Sequence, residues 1–345
     1  MRKLVSALVL ASSLVALPAY AQFGLPGLEN SISIGMSPAH PGPGDTVTLT
    51  AESSVFDLPQ SSIVWNVNGK VVAQGVGATS VSTTVGGLGS LTSVTVDASA
   101  ADGTSAEASA QIVPTEVDLL YDSDSYAPPF YRGKSLPSAG SNLYLQALPH
   151  FVSPNGSSPA ASSLTYTWKK NGQVMGTVSG RGKSAIVIPA PVLYETDIMS
   201  VDVASSDGSL SGETSITVAA ADPTVMLYED HPLFGVLYGN ALSASTFLPD
   251  SEMTFAAIPY FASVRTPSDP LLQYAWRVNG SSIATDPAKP NELTLQASPS
   301  NDTALIQLAL THATNFFLDA SGSWNVSFST ASTNGSQNPF DSATQ

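Results

Sequence analysis

Cysteine is absent from the chain. That excludes disulfides, thiolate metal centres, iron–sulfur clusters, a cysteine nucleophile and a lipoprotein anchor at the export cleavage point. Histidine is scarce, with four residues, and none sits in a His-x-x-x-His pair. Neither a Gly-x-Ser-x-Gly elbow nor a glycine-rich phosphate loop between a strand and a helix is present. Catalysis therefore has few groups to work with, and the expectation is a non-enzyme. Charged residues are also sparse, at 11%, and the balance is acidic, with 12 basic against 27 acidic side chains. Nucleic acid and anionic membranes need a basic face, so both are poor partners for this chain.

Long apolar runs are missing apart from one at the N-terminus. Met1-Arg2-Lys3 precedes an apolar stretch from Leu4 to Leu17, which ends at Pro18-Ala19-Tyr20-Ala21. A basic start, a short apolar core and a small-x-small end form a secretory signal peptide, with cleavage expected after Ala21. The run is shorter than the ~20 residues of a membrane span. Cleavage removes Arg2 and Lys3 and no acid, so 10 basic and 27 acidic groups remain and the net charge is −17. An exported chain that relies on packing without disulfides points to a bacterial source. Retention of 1–21 as an anchor is the rival expectation.

What is present is a repeat. Trp65-Asn66-Val67-Asn68-Gly69, Trp168-Lys169-Lys170-Asn171-Gly172 and Trp276-Arg277-Val278-Asn279-Gly280 share the phrase W-x-x-N-G, at spacings of 103 and 108 residues. That period suits one small β domain. Around each phrase the pattern has period two, as in Thr46-Val47-Thr48-Leu49-Thr50-Ala51 and Leu164-Thr165-Tyr166-Thr167-Trp168. Asn-Gly supplies the two positive φ angles of a type I′ hairpin. Asp102-Gly103 and Asp207-Gly208 mark closing hairpins. The organisation read from this is a signal peptide at 1–21, domains at 31–115, 116–220 and 221–330, and a disordered polar tail at 331–345. Residues 303–317 break the pattern and are where a helical turn is expected.

The second and third domains are sisters. Leu120-Tyr121-Asp122 and Leu227-Tyr228-Glu229 open them, and each is followed by a proline- and aromatic-rich insert absent from the first. Tyr121, Tyr126, Phe130 and Tyr131 cluster in one; Tyr228, Phe234 and Tyr238 cluster in the other. These seven residues are the candidate binding surface, for a surface protein or a glycan, because aromatic loops offer apolar area with a polar tip. The competing expectation is that each insert covers the end of its sandwich or packs on the neighbouring domain, stiffening the chain. Trp65, Trp168 and Trp276, each on a strand ahead of a hairpin, are expected in the cores. Acidic pairs at Asp122 and Asp124, and at Glu229 and Asp230, raise interdomain calcium as a possibility, although the spacing lacks the glycine and distal glutamate of an EF-hand loop. No catalytic residue and no other cofactor is expected.

The tandem, cysteine-free W-x-x-N-G hairpins resemble bacterial immunoglobulin-like and PKD-like domains, over most of residues 31–330. One feature departs from PKD domains: Asn-Gly stands where a Trp-Asp-Phe-Gly-Asp-Gly type of run is found. The resemblance implies an all-β fold of three tandem β-sandwiches in an extended rod. It also implies spacing, adhesion or assembly outside the cell. The function expected is a structural or adhesive component of the bacterial cell surface or of a surface appendage. The alternatives are a carbohydrate- or protein-binding module that uses the inserts, and a membrane-tethered periplasmic scaffold. A sandwich fold by itself specifies none of these.

Overall fold

The computed structural model describes residues 32–54, 56–249, 252–296 and 303–328. The signal-like segment 1–21 and the polar tail 331–345 lie outside the described residues. Among the described residues the regular structure is almost entirely β, with two single-turn 3-10 helices at Leu58–Gln60 and Ala161–Ser163. The chain divides into two compact units. One holds the strands of the first sandwich. The other takes the Pro38–Thr46 and Thr84–Leu91 segments and everything from Val113 onward.

The first sandwich is built from β1 (Ser33–Ser37), β2 (Thr46–Glu52), β3 (Ser62–Val67), β4 (Lys70–Val76), β5 (Ser80–Thr84), β6 (Thr92–Ser99) and β7 (Ser105–Ile112). One sheet has the order β1-β2-β5 and the other β4-β3-β6-β7. Alternation explains the pairing. Val47, Leu49 and Ala51 are buried on β2, Ile63, Trp65 and Val67 on β3, and Val94, Val96 and Ala98 on β6. The residues between them point away from the core, as the period of two requires.

The second sandwich repeats this order. Its strands are β8 (Glu116–Ser123), β9 (Asn142–His150), β10 (Thr165–Lys170), β11 (Gln173–Val174), β12 (Gly180–Arg181), β13 (Ala185–Pro189), β14 (Thr196–Ala204) and β15 (Ser211–Ala219). Sheet β13-β9-β8 faces sheet β11-β10-β14-β15, with β12 also on β10. Leu143 and Leu145 from one sheet meet Tyr166, Trp168 and Val201 from the other in a single core.

The third sandwich adds two strands to the plan. It comprises β16 (Thr224–His231), β17 (Gly235–Ala241), β18 (Ser245–Leu248), β19 (Glu252–Tyr260), β20 (Leu272–Val278), β21 (Ser281–Ile283), β22 (Glu292–Gln296), β23 (Thr303–His312) and β24 (Asp319–Phe328). The sheets run β17-β16-β19-β22 and β18-β24-β23-β20-β21. The aromatic insert has become the hairpin strand β17, and β18 pairs parallel with β24. The expected helical turn within 303–317 is not there: 303–312 is strand β23. Ala304, Ile306, Leu308 and Leu310 alternate inward and are buried. Alanine and leucine favour helix locally, but pairing with β20 and β24 and burial of the alternate residues decide the conformation.

All three are therefore immunoglobulin-like sandwiches, with the first, second and fifth strands of the common plan facing the third, fourth, sixth and seventh.

Candidate functional site

The repeated phrase proves to be a clip within each domain. Trp65, Trp168 and Trp276 are 0%, 0% and 2% exposed. Each indole N–H donates to a backbone carbonyl on the way to the fifth strand: to Ala78 at 2.8 Å, Lys183 at 2.8 Å and Pro290 at 2.9 Å. Each asparagine takes a left-handed conformation, with φ of 49°, 51° and 50°. Its side-chain oxygen then accepts a backbone N–H from the sixth strand of its sandwich: Ser93 at 2.9 Å, Ile198 at 2.8 Å and Leu305 at 2.8 Å. The tryptophan holds one sheet to the loop that leads to the other, and the asparagine ties the hairpin to the next strand.

Most of the insert aromatics converge where the second sandwich meets the third. Tyr126 forms a two-bond bridge: its N–H donates to Ala262 at 2.7 Å, and its carbonyl accepts from Phe261 at 2.7 Å. Phe261 is held at φ 58°, a strained angle for an aromatic residue, between that bond and its ring contacts. Tyr131 sets its ring edge-on to Tyr260 at 5.8 Å and to Phe261 at 5.7 Å. The Tyr228 and Tyr260 hydroxyls lie 2.6 Å apart, and the Tyr228 and Tyr238 rings 5.6 Å apart. Two further bonds close the joint: Ala221 N–H to the Pro137 carbonyl at 2.7 Å, and the Asn315 side-chain N–H to the Ala139 carbonyl at 2.7 Å.

Burial makes these phenols hard to ionise. The Tyr126 hydroxyl is pushed up to about 12, chiefly by burial and further by Tyr238. Tyr260 is raised by burial and then by its bond with Tyr228, and Tyr274 by burial.

Three candidate residues lie apart from this joint. Phe130 and Phe234 are 89% and 76% exposed. Tyr121 packs against the core of its own sandwich, with the Lys134 ammonium 3.2 Å from its ring centre. Tyr121 and Tyr228 are not equivalent in space. In the pairing of the first two strands, Leu120 opposes Gln146 as Tyr228 opposes Ala256, while Tyr121 opposes Leu145. The shared apolar-Tyr-acid step is thus offset by one residue, which reverses the face.

Asp122, Asp124, His150 and His312 are occupied locally. Asp124 accepts from the backbone and side-chain N–H groups of Asn142 at 2.7 and 2.6 Å. Asp122 accepts from the Ser123 N–H at 2.8 Å. His150 meets Asp118 at 3.1 Å, and His312 Nδ1 accepts from the Asn315 N–H at 3.0 Å. Among the described residues no group of three or more His, Asp or Glu side chains is placed to hold a metal ion. Among them, too, no helix is long and apolar enough to cross a membrane.

Sequence reasoning missed the joint's partners on the third sandwich, Phe261, Ala262 and Asn315. The repeated Pro-aromatic-Phe steps, Pro149-His150-Phe151 and Pro259-Tyr260-Phe261, were the available signal.

The chain matches no protein-family model and no curated protein by sequence. Solved structures resemble it distantly. The three N-terminal domains of the bacteriophage RB49 highly immunogenic outer capsid protein are 16% identical, over 86% of this chain and 98% of that one, with a TM-score of 0.24. The fibronectin(III)-like modules of Clostridium thermocellum CbhA are 14% identical, over 54% and 93%, with a TM-score of 0.26. The central fibronectin-III array of RIM-binding protein is 10% identical, over 85% and 94%, with a TM-score of 0.30. At such scores the fold rests on the strand pairing of the chain itself.

Proposed function

We propose that the protein is an exported, non-enzymatic structural or adhesive component of the bacterial cell surface or of a surface appendage, and that it needs no cofactor. The observation that carries this reading is the joint between the second and third sandwiches. Tyr126 and Tyr131 of the second sandwich's insert make their contacts on the third sandwich, which suits a protein that must transmit position rather than enclose a substrate. The basic-apolar-small start at 1–21 supports export. The absence of cysteine and the net negative charge suit a bacterial exterior. The partner in this reading is a surface protein or a glycan.

Brief protease treatment of intact cells, followed by mass spectrometry, tests the location. Release of peptides from residues 116–330 is the expected result. Complete protection until the envelope is opened would place the protein in the periplasm and overturn the surface assignment.

A further inference from the structure

Asn-Gly occurs five times in the chain, and the structure describes four of these pairs: Asn68-Gly69, Asn155-Gly156, Asn171-Gly172 and Asn279-Gly280. Asn334-Gly335 lies outside the described residues. Glycine has no Cβ to shield its backbone nitrogen, so the side-chain amide of an asparagine before it is open to attack from its own chain. The four pairs share this chemistry and differ in how the amide is held.

Three are held twice by another strand. The Asn68 N–H donates to the Ser93 carbonyl at 2.8 Å, and the Asn68 side-chain oxygen accepts the Ser93 N–H at 2.9 Å. Asn171 does the same with Ile198, and Asn279 with Leu305. Turning such an amide back onto its own glycine breaks the bond to the sixth strand.

Asn155 has no such tie. Residues 154–158 are exposed, in the loop between β9 and β10. The loop closes only on itself: the Ser153 N–H donates to the Ser157 carbonyl at 2.8 Å, and the Gly156 N–H to the Ser153 carbonyl at 2.8 Å. The Asn155 side-chain oxygen accepts the Ser157 N–H at 2.9 Å, which curls the amide over the Gly156–Ser157 backbone. That N–H also faces the oxygen on which negative charge develops during attack. Gly156 takes the left-handed angle, φ 83°, with open space where a Cβ would stand. This turn can open locally without disturbing a core.

We propose that Asn155 is a self-modifying site. The Gly156 nitrogen bonds to Asn155 Cγ, the bond from Cγ to the amide nitrogen breaks, and ammonia leaves with the proton of the Gly156 N–H. The product is a cyclic succinimide. Solvent water then opens either carbonyl of that ring, giving aspartate or isoaspartate. No oxidant, metal or enzyme enters. Either product adds a negative charge, and isoaspartate also lengthens the backbone. Ser153, Ser157 and Ser158 of this loop wall a cavity of about 260 Å³ that already holds Asp207, so the change falls where the surface is acidic. The same two letters are thus protected where they fold a sandwich and reactive where they do not.

Full-length protein is incubated in mildly alkaline buffer, with circular dichroism confirming the fold, and sampled over time for peptide mass spectrometry. The amide-to-acid mass shift is followed at Asn68, Asn155, Asn171 and Asn279. The expected result is loss of the Asn155 amide at least ~10-fold faster than at any of the other three, a difference of about 1.4 kcal/mol. The same incubation in urea removes the strand ties, and the four rates should then converge. Equal rates at Asn155 and the tied asparagines in the folded protein would overturn the proposal. So would a ratio that urea leaves unchanged, which would trace the difference to neighbouring residues in sequence rather than to the fold.

Discussion

Asn171 and Ile198 bind each other twice. The Asn171 backbone N–H donates to the Ile198 carbonyl at 2.8 Å, and the Asn171 side-chain oxygen accepts the Ile198 N–H at 2.8 Å. The remaining side-chain N–H donates to Asp197, a buried carboxylate that also pairs with Lys170 at 2.7 Å. The asparagine of the repeat is therefore chosen twice over, for its tolerance of positive φ and for its amide.

Two substitutions separate those roles. Asn171→Gly keeps the backbone angle and removes the amide, leaving the Ile198 N–H without that partner and Asp197 without one of its donors; the expected loss is about 1–3 kcal/mol. Asn171→Ala adds the left-handed strain of a Cβ, a further ~1–2 kcal/mol. Thermal denaturation should rank wild type above glycine above alanine. Equal stability of the glycine variant and wild type would show that the amide bonds are idle.

Gly322 is the second point of sensitivity. A Cβ there would run into the six-membered ring of Trp324, which is itself 5% exposed and part of the third core. The indole is rigid and packed, so the clash cannot be relieved by a soft side chain. Gly322→Ala should destabilise the third sandwich by ~1–3 kcal/mol, the usual cost of overpacking. Tryptophan fluorescence should shift as Trp324 is displaced. An unchanged melting curve and spectrum would contradict this packing.

Alkaline pH should loosen the joint before the first sandwich, which has no tyrosine among its described residues. Tyr126, Tyr260 and Tyr274 all have hydroxyls raised above the ordinary value of 10.0 by burial. The folded state then holds protons that the unfolded chain releases, so their contribution is complete below pH 10 and is lost as pH rises above it, that of Tyr126 through the window from 10 to about 12. Tyrosinate absorbance and circular dichroism, followed together, should show these phenols ionising only as the second and third sandwiches unfold. Ionisation at pH 10 without any loss of structure would show the cluster to be open to solvent.

The sheet plan was legible because its signals are local. Period-two patterns marked β2, β3, β9 and β14, and Asn-Gly and Asp-Gly marked the turns. β23 was misjudged because Ala304, Leu305, Ile306, Leu308 and Leu310 read as helix formers when their strand partners are unknown. The inserts were visible as aromatic clusters, yet their destination was not. Tyr126 bonds to Ala262, which is 136 residues away and carries no distinctive side chain, so nothing local announced the contact. The one-residue offset between Tyr121 and Tyr228 was equally hidden, since register is a property of pairing and not of one strand's letters.

Calorimetry of the full chain with Tyr126→Ala and Tyr131→Ala, singly and together, tests the claim that the inserts are a joint. Each edge-on ring pair of Tyr131 is worth ~0.5–1.5 kcal/mol beyond its area. The second and third sandwiches should melt together in the wild type and separately, at lower temperature, in the double variant, with the transition of the first sandwich unmoved. An unchanged melting profile combined with lost retention on a glycan or surface-protein matrix would contradict it and make the inserts a binding surface.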